Sequence, residues 1–451
     1  MDTTLRSMVG ASSVGESGLA LALAPALTPK GLDTSPSFFH GFATHPRALT
    51  QGLVSLADIT ASRYFQFTPT NMRDPVLTAH GDRLRAEVFS ADNSVYARLD
   101  VLGSGLDGGE IGHGTTNVDI GHTMRRMLSL INKNDLLHID VGIAGLAAST
   151  MTSTAVERPV CMPDRWVRAF GNASELHTNL EPRFRLSASQ ARGFIAALPP
   201  VSVSRRSGWL IPTPAGVQIR QRPTKDAVWI EGLNRLTALK RLLTLQSGIT
   251  VYGPADGSQG SAAVEADLPG AKLVIALTES ITRGYSGEGS LLEALASHTS
   301  LDDASLVNAA LSFEPIINVH LLSKATGVPP NRIRDALAVL AVSGRVGWDF
   351  TEGAHFHREL PDDPARVTKD NPRLVRAHRI LEQPGAIQPV PGENAWLVDG
   401  GNGIHRVAET VSGLTCTCTW ALRYNVNLGN DRGPCAHALA VTMAHNGEEL
   451  S

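Results

Sequence analysis

The chain has 451 residues, of which 42% are hydrophobic and 18% charged, and its formal net charge is −3. This length allows roughly two to four domains with sizeable cores, and the composition fits a soluble globular protein. No apolar run reaches the roughly 18 residues that cross a bilayer, and the weak net charge does not favour nucleic-acid binding. We therefore expect a cytoplasmic protein without membrane attachment.

Residues 1–35 are rich in Ser, Gly, Ala and Pro, so we expect a disordered leader. An apolar stretch at 18–25 resembles the core of a secretion signal, but only Arg6 precedes it and no cleavage context follows. Residues 36–298 are predicted to form a large α+β domain of unknown role, in which helices alternate irregularly with antiparallel strands. Alternation of polar and apolar residues predicts a strand pair at 83–89 and 95–101. Helices are expected at 51–62, 121–132, 187–198 and 232–245, further strands at 136–141, 209–211, 217–220 and 271–277, and a loop at 254–267.

Two glycine-rich stretches in this domain, 112–119 and 283–289, could cradle an anion at a helix N-terminus. Neither has the spacing of a nucleotide-binding loop, so structured turns or capped loops are the simpler interpretation. The first hairpin is flanked by charged residues, for which solvated or mutually paired side chains are the simplest interpretation: Arg63, Arg83, Arg85, Glu87, Arg98 and Asp100. No nucleophile–base pair stands out, and we assign no catalytic residue.

Residues 299–361 are predicted to contain three helices followed by a hairpin. The third helix opens with Pro329 and Pro330, and Gly344 ends it. This order resembles a winged helix, in which the third helix enters the major groove in DNA-binding members. Five basic residues against four acidic ones in 319–360 give only a weak positive charge, so DNA binding and protein docking both stay open.

Residues 362–392 are rich in proline and contain a basic helix, and we expect them to connect the winged-helix-like domain to the last domain. A solvated helix face is the simpler interpretation of these charges. If nucleic acid is bound, the candidate contacts on this helix and on the preceding domain are Arg332, Arg334, Arg373, Arg376 and Arg379.

The most informative stretch is Cys416-Thr417-Cys418, followed after sixteen residues by Cys435-Ala436-His437. Three of the four cysteines of the chain lie in this C-x-C-x16-C-x-H pattern. Thiolate sulfur and imidazole nitrogen are the donors that a structural zinc site uses, and four of them complete a tetrahedron. A disulfide fits poorly, because the two cysteines of C-x-C cannot both pair with Cys435. Buried thiols with a core histidine are the other alternative.

The elements around the motif are a predicted strand at 395–398, a glycine-rich turn at 400–403, a return strand at 404–407 and a helix at 437–444. The motif within this β-β-α order resembles the SWIM-type zinc finger of multidomain bacterial proteins. The resemblance covers about a tenth of the chain, within residues 393–451. It implies one structural zinc ion bound by Cys416, Cys418, Cys435 and His437, and a module that binds DNA or protein and is not catalytic.

The sequence therefore predicts a zinc-binding adaptor or scaffold for a protein partner. A DNA-associated protein of the recombination, repair or mobile-element kind is one alternative. An enzyme with an unrecognised site in the N-terminal domain is the other.

Overall fold

The structure is a computed structural model. It describes residues 13–15, 18–20, 26–28, 31–33, 37–65, 68–69, 75–160, 164–202, 206–285, 298–358, 360, 372–401, 403–410, 413–423 and 434–448. Helices and antiparallel sheets are mixed along these segments, which confirms the predicted α+β class. Most of the predicted leader lies outside the described residues, as does most of the glycine-rich stretch 283–289. Among the described helices, none is both long enough and apolar enough to cross a membrane.

The strands are numbered in chain order. Up to residue 160 they are β1 Ser13–Gly15, β2 Gly18–Ala20, β3 Ala26–Thr28, β4 Gly31–Asp33, β5 Ser37–Ala43, β6 Ser62–Arg63, β7 Thr68–Pro69, β8 Val76–His80, β9 Arg83–Phe89, β10 Val95–Leu102, β11 Leu106–Asp107, β12 His113–Asn117, β13 His138–Gly142, β14 Gly145–Ser149 and β15 Thr154–Glu157. After residue 160 they are β16 Leu180–Ser187, β17 Gly208–Thr213, β18 Gly216–Arg220, β19 Val228–Ile230, β20 Gly248–Pro254, β21 Ala262–Leu268, β22 Ala271–Leu277, β23 Val346–Asp349, β24 Ala354–His357, β25 Ile387–Pro389, β26 Ala395–Asp399, β27 Ile404–Thr410 and β28 Gly413–Cys416.

The α-helices are numbered in the same way. They are α1 Pro46–Thr60, α2 His122–Leu130, α3 Asp164–Thr178, α4 Ala188–Ala196, α5 His298–Ala310, α6 Val319–Thr326, α7 Pro330–Val342, α8 Pro372–Leu381, α9 Thr419–Arg423 and α10 Ala436–Glu448. Two 3-10 helices lie at Gly103–Gly105 and Leu233–Leu242. The second of these replaces the α-helix that was predicted at 232–245.

The N-terminal region is built on an eight-stranded antiparallel sheet in the order β12-β8-β9-β10-β22-β21-β20-β16. The predicted hairpin becomes β9 and β10, and β10 pairs with β22 from Val95↔Leu277 to Val101↔Ala271. Strands β8–β10 and β20–β22 each form a three-stranded meander, and the two meanders meet where β10 pairs with β22. A second sheet has the order β11-β5-β13-β14-β15, and α1 packs against β9 and β10. The apolar side chains of these elements form one large core.

Two predictions for this region are wrong. The glycine-rich stretch 112–119 is neither the structured turn that was expected nor an anion-binding loop, because residues 113–117 form β12, an edge strand whose residues 114–117 are buried. The expected loop at 254–267 contains most of β21, which lies between β20 and β22 and is almost fully buried. Its many alanines have low intrinsic strand propensity, and pairing on both sides overrides that preference.

The charged residues of the first hairpin are mostly buried. They lie under the β23–β24 hairpin, where Arg85 donates a hydrogen bond to Asp349 and Arg98 Nη1 donates to the Trp348 carbonyl at 2.6 Å. The neighbouring Arg358 Nη2 donates to Glu87 Oε1 at 2.8 Å. We call this set the buried ion network: Arg83, Arg85, Glu87, Arg98, Asp100, Asp349 and Arg358. Arg63, the sixth charged residue considered in the sequence, is exposed.

The helices predicted before this hairpin are present as α5, α6 and α7, and Gly327 ends α6 with a φ of +76°. A left-handed residue at this place is typical of a helix C-terminus. Helix α7 packs against α3, a helix that the sequence analysis missed, and a Cβ on Gly171 would lie 2.7 Å from the Ala341 carbonyl oxygen. A second apolar core continues from α5–α7 through α8 to the C-terminal sheet and α10.

Candidate metal centre

The four residues of the C-x-C-x16-C-x-H motif lie together at the C-terminal end of the second core. One donor atom from each of Cys416, Cys418, Cys435 and His437 lies within 4.8 Å of all the others. Each of the four side chains is at most 8% exposed. The three thiols are not paired in disulfides. This buried cluster could hold a metal ion. The fourth cysteine of the chain, Cys161, lies outside the described residues.

Each half of the motif lies where an element ends or begins. Cys416 is the last residue of β28 and pairs with Val407 of β27. Cys418 precedes α9 and accepts the N–H of Ala421 at 3.5 Å, and Cys435 precedes α10 and accepts the N–H of Ala438 at 3.4 Å. Amide donors and the positive end of a helix stabilise a thiolate at these positions.

The separations fit tetrahedral coordination through the Nδ1 atom of the histidine. His437 Nδ1 lies 3.8 Å from Cys416 Sγ and 3.9 Å from Cys435 Sγ. Bonds of about 2.3 Å from sulfur and about 2.0 Å from nitrogen to one ion would place such atoms about 3.5 Å apart in a tetrahedron. The donors are therefore close to the positions that a bound ion requires.

The thiols do not ionise alike in the absence of metal. Hydrogen bonds from the thiols of Cys416 and Cys435 lower the pKa of Cys418 well below its usual range, and the same contact with Cys418 raises the pKa of Cys416. Because zinc binds the thiolate form of cysteine, metal binding should release protons.

The far side of the histidine ring is closely covered. His437 Nε2 is buried, and a Cβ built on Gly400 would lie only 2.3 Å from it. The ring of His405 lies 4.5 Å away, centroid to centroid. Glycine at position 400 thus allows the β26–β27 turn to cover the motif.

Helix α8 supports both halves of this site. Arg373 Nη1 donates to the carbonyl of Pro434, which precedes Cys435, at 3.0 Å, and its guanidinium lies 4.3 Å from the ring centroid of Trp420. Arg376 Nη2 donates to the carbonyl of Gly400 at 3.1 Å. Two arginines that the sequence offered as nucleic-acid contacts therefore bind the backbone next to the metal ligands.

The other three predicted nucleic-acid contacts, Arg332, Arg334 and Arg379, have different surroundings. Arg332 donates two hydrogen bonds, of 2.7 and 2.6 Å, to the carboxylate of Asp303. Arg334 on α7 and Arg379 on α8 are exposed. The sequence analysis predicted a turn at 400–403 and a helix within 362–392. It did not predict that Gly400 lies against His437 or that α8 binds the backbone beside the metal ligands.

Comparison with known proteins adds little. No family model and no curated protein matches the chain. Among solved structures, the Proliferating Cellular Nuclear Antigen of Entamoeba histolytica has a TM-score of 0.36 and 10% identity, over 54% of this chain and 99% of that one. The PCNA2-PCNA3 complex from Sulfolobus tokodaii gives 0.35 and 10%, over 53% and 98%. Both TM-scores are too low for a conclusion about this chain.

Proposed function

We propose that this chain is a zinc-binding interaction protein whose C-terminal unit is a SWIM-type zinc finger. The observation that carries the proposal is the burial of three thiols and one imidazole within 4.8 Å of one another. Three sulfur donors and one nitrogen donor suit zinc, and thiolates select against magnesium and calcium. Four protein ligands leave no open position for an activated water, so the ion acts on folding and not on a substrate.

The outer face of the finger sheet favours a protein partner. Leu397 and Ile404 lie on this face, where Asp399 pairs with Ile404 and Leu397 pairs with Arg406. The opposite face carries Trp396, Val398, His405 and Val407 and packs toward α10 and the metal ligands. Leu397 is 40% exposed and Ile404 is 67% exposed. The two side chains are diagonal neighbours on this face, and exposed aliphatic side chains that lie together are a feature of protein-docking surfaces.

The winged-helix-like segment supports the same proposal. The buried ion network binds its hairpin to the large sheet, α7 packs against α3, and Arg332 donates hydrogen bonds to Asp303. A groove-reading helix needs a free face and free cations. We therefore favour an adaptor in which the winged-helix-like segment docks within the chain and the finger contacts the partner.

Metal analysis tests the first part of the proposal. Inductively coupled plasma mass spectrometry of the purified protein should find one equivalent of zinc. Titration of zinc into the metal-free protein should release protons. Zinc well below one equivalent after refolding with excess metal would rule the finger out.

Capture of partners tests the second part. The intact protein is immobilised in lysate from its own cells, with and without nuclease, beside a Leu397→Ser/Ile404→Ser variant. Nuclease-resistant binding that this variant loses supports the adaptor. The matched control is Met151→Ser, which changes an 89% exposed side chain in the N-terminal region. Binding that nuclease abolishes favours the DNA-associated alternative.

A further inference from the structure

Charge is distributed very unevenly along this chain. Residues 180–245 contain eleven Lys and Arg against three Asp and Glu, whereas the whole chain has a net charge of −3. Such an excess within an acidic protein has a physical consequence, because clustered cations create a local positive potential of several kT. The segment is separate from the metal centre and from the arginines of α7 and α8.

The elements of this segment are in contact with one another. They are the edge strand β16, the helix α4, the three-stranded sheet β18-β17-β19 and the 3-10 helix Leu233–Leu242. Helix α4 packs against β18, and Gln190 Nε2 donates to the carbonyl of Pro214 at 3.0 Å. After β18, Gln221 Nε2 donates to the carbonyl of Ser207 at 3.1 Å. The loop that follows β18 is thereby held beside the sheet.

Some cations of the segment have structural roles. Arg235 is buried and donates to the carbonyls of Glu231, Ser94 and Thr278. Arg241 pairs with Asp58, and Arg185 pairs with Asp267. These groups do not contribute a free charge to the surface.

Other cations of the segment are exposed. Arg220 donates to Gln218 Oε1 at 2.6 Å, and this amide oxygen leaves its charge uncompensated. In the described part of the chain, no carboxylate lies within 4 Å of the exposed cations Arg220, Arg222 and Lys225, which lie at the end of β18 and in the loop after it. We call these three residues the basic surface.

Two tryptophans lie beside Arg220 of the basic surface. In the three-stranded sheet, Trp209 pairs with Arg220 on one side and with Trp229 on the other. Residues directly opposite each other in an antiparallel sheet share a face, so Arg220 and both indoles lie on the same face. Trp209 and Trp229 have ring centroids 5.6 Å apart and belong to a small apolar cluster outside the main core, and Trp229 is half-buried.

We propose that the basic surface binds the backbone of single-stranded nucleic acid. Guanidinium groups bind phosphate with two parallel hydrogen bonds, and two of the three cations are arginines. An indole on the same face offers a platform on which a base stacks, a combination typical of surfaces that bind single strands without sequence preference. An acidic peptide would use the cations but would leave the indole without a role.

The test measures binding of a fluorescein-labelled 20-nucleotide single-stranded DNA by anisotropy over a salt series. The wild-type protein should bind at 50 mM salt and weaken as salt rises. The Arg220→Ala/Arg222→Ala/Lys225→Ala variant should bind about tenfold or more weakly. Its slope of log K against log salt should fall by about 2, at about 0.7 for each phosphate that the variant no longer neutralises. The single variant Arg222→Glu repeats the test with less change to the sheet.

The matched control is Lys324→Ala/Arg334→Ala/Arg379→Ala, which removes three exposed cations from the helices near the metal centre. Unchanged affinity in this control supports the basic surface. Equal weakening in both triple variants, greater weakening in the control, or absence of wild-type binding at 50 mM salt would each overturn the proposal. So would binding of polyglutamate as tight as that of DNA. Zinc content and circular dichroism of each variant report folding independently of binding.

Discussion

Two buried polar clusters fix the architecture of this chain, and they differ in how they are assembled. The candidate metal centre draws its donors from 22 consecutive positions, at the ends of a strand and at the start of helices. The buried ion network joins Arg85 to Asp349, which lies 264 positions further along. Without its ion, the first cluster has only weak thiol hydrogen bonds between its donors. The second carries both signs of charge in its own side chains.

This difference determines what each cluster contributes. A structural zinc site supplies folding free energy to a small unit, since the ion binds only when the unit is folded. A buried ion pair adds little net stability, because desolvation of the charges offsets their attraction, but removal of one partner leaves a buried charge uncompensated. We infer that the metal stabilises the C-terminal unit, whereas the ion network determines where the β23–β24 hairpin lies on the large sheet.

The largest expected effect tests the metal half of this comparison. Cys435→Ser should release the metal and unfold residues 395–448, because three donors hold zinc far more weakly than four. Hydrogen exchange should show complete loss of protection in this unit and unchanged protection in the N-terminal sheet. Cys161→Ser, which lies outside the motif, should keep one equivalent of zinc. If Cys435→Ser also kept it, the ligand assignment would be wrong.

Asp349→Ala tests the ion network. The change leaves Asp100 as the one carboxylate shared by Arg85 and Arg98 among the described residues. The buried positive charge is then in excess, so the free energy of unfolding should fall by about 3–5 kcal/mol. Urea denaturation measures this, and zinc content should stay at one equivalent. Glu393→Ala removes an exposed pair with Arg406 and should cost no more than about 1 kcal/mol. Similar losses for both variants would contradict the distinction between buried and exposed pairs.

Low pH should weaken the ion pairs between Asp349 and the arginines of the large sheet. Burial by itself raises the pKa of Asp349, but the guanidiniums of Arg98 and Arg85 outweigh it and lower the pKa to about 2. Because this pKa lies below the ordinary value of 3.8, stability that is complete above about pH 4 is lost as the pH falls toward 2. The loss should be roughly 2 kcal/mol. Hydrogen exchange of residues 346–357 between pH 5 and 2.5 measures it, and Asp349→Asn should abolish the pH dependence.

Gly400→Ala tests the packing around the metal ligands. The added Cβ would contact His437 Nε2 at 2.3 Å, so the turn or the ring must shift. We expect destabilisation of the C-terminal unit by about 1–3 kcal/mol and weaker zinc binding in competition with a chromogenic chelator. Gly193→Ala is the control, because a Cβ there meets nothing within 4 Å and position 193 lies in α4. That change should be neutral or slightly stabilising.

The two clusters also differ in how far the sequence predicts them. The grouping of the metal-site residues was predictable, because metal-ligand spacing is short and local. The first hairpin, α6 and α7 were predictable for the same reason, since periodicity and end signals are local. The partners of Arg85 and Arg98 were not predictable, since nothing local to β9 or β10 indicates Asp349. Strand β21 was missed because pairing with β20 and β22, and not its own composition, makes it a strand.

The smallest effect concerns the most local signal of the N-terminal region. Ser187 begins α4 with a capping box, in which its hydroxyl accepts the N–H of Gln190 and the Gln190 side chain accepts the N–H of Ser187. Ser187→Ala should cost about 1 kcal/mol in urea denaturation, and Ser187→Gly only a few tenths. Because α4 packs against β18, whose last residue is Arg220 of the basic surface, either variant should leave zinc content unchanged and weaken DNA binding less than twofold. A cost above about 3 kcal/mol for Ser187→Ala would show that this helix start is coupled to the core beyond its cap, and that local signals in this region are less independent than those around the metal.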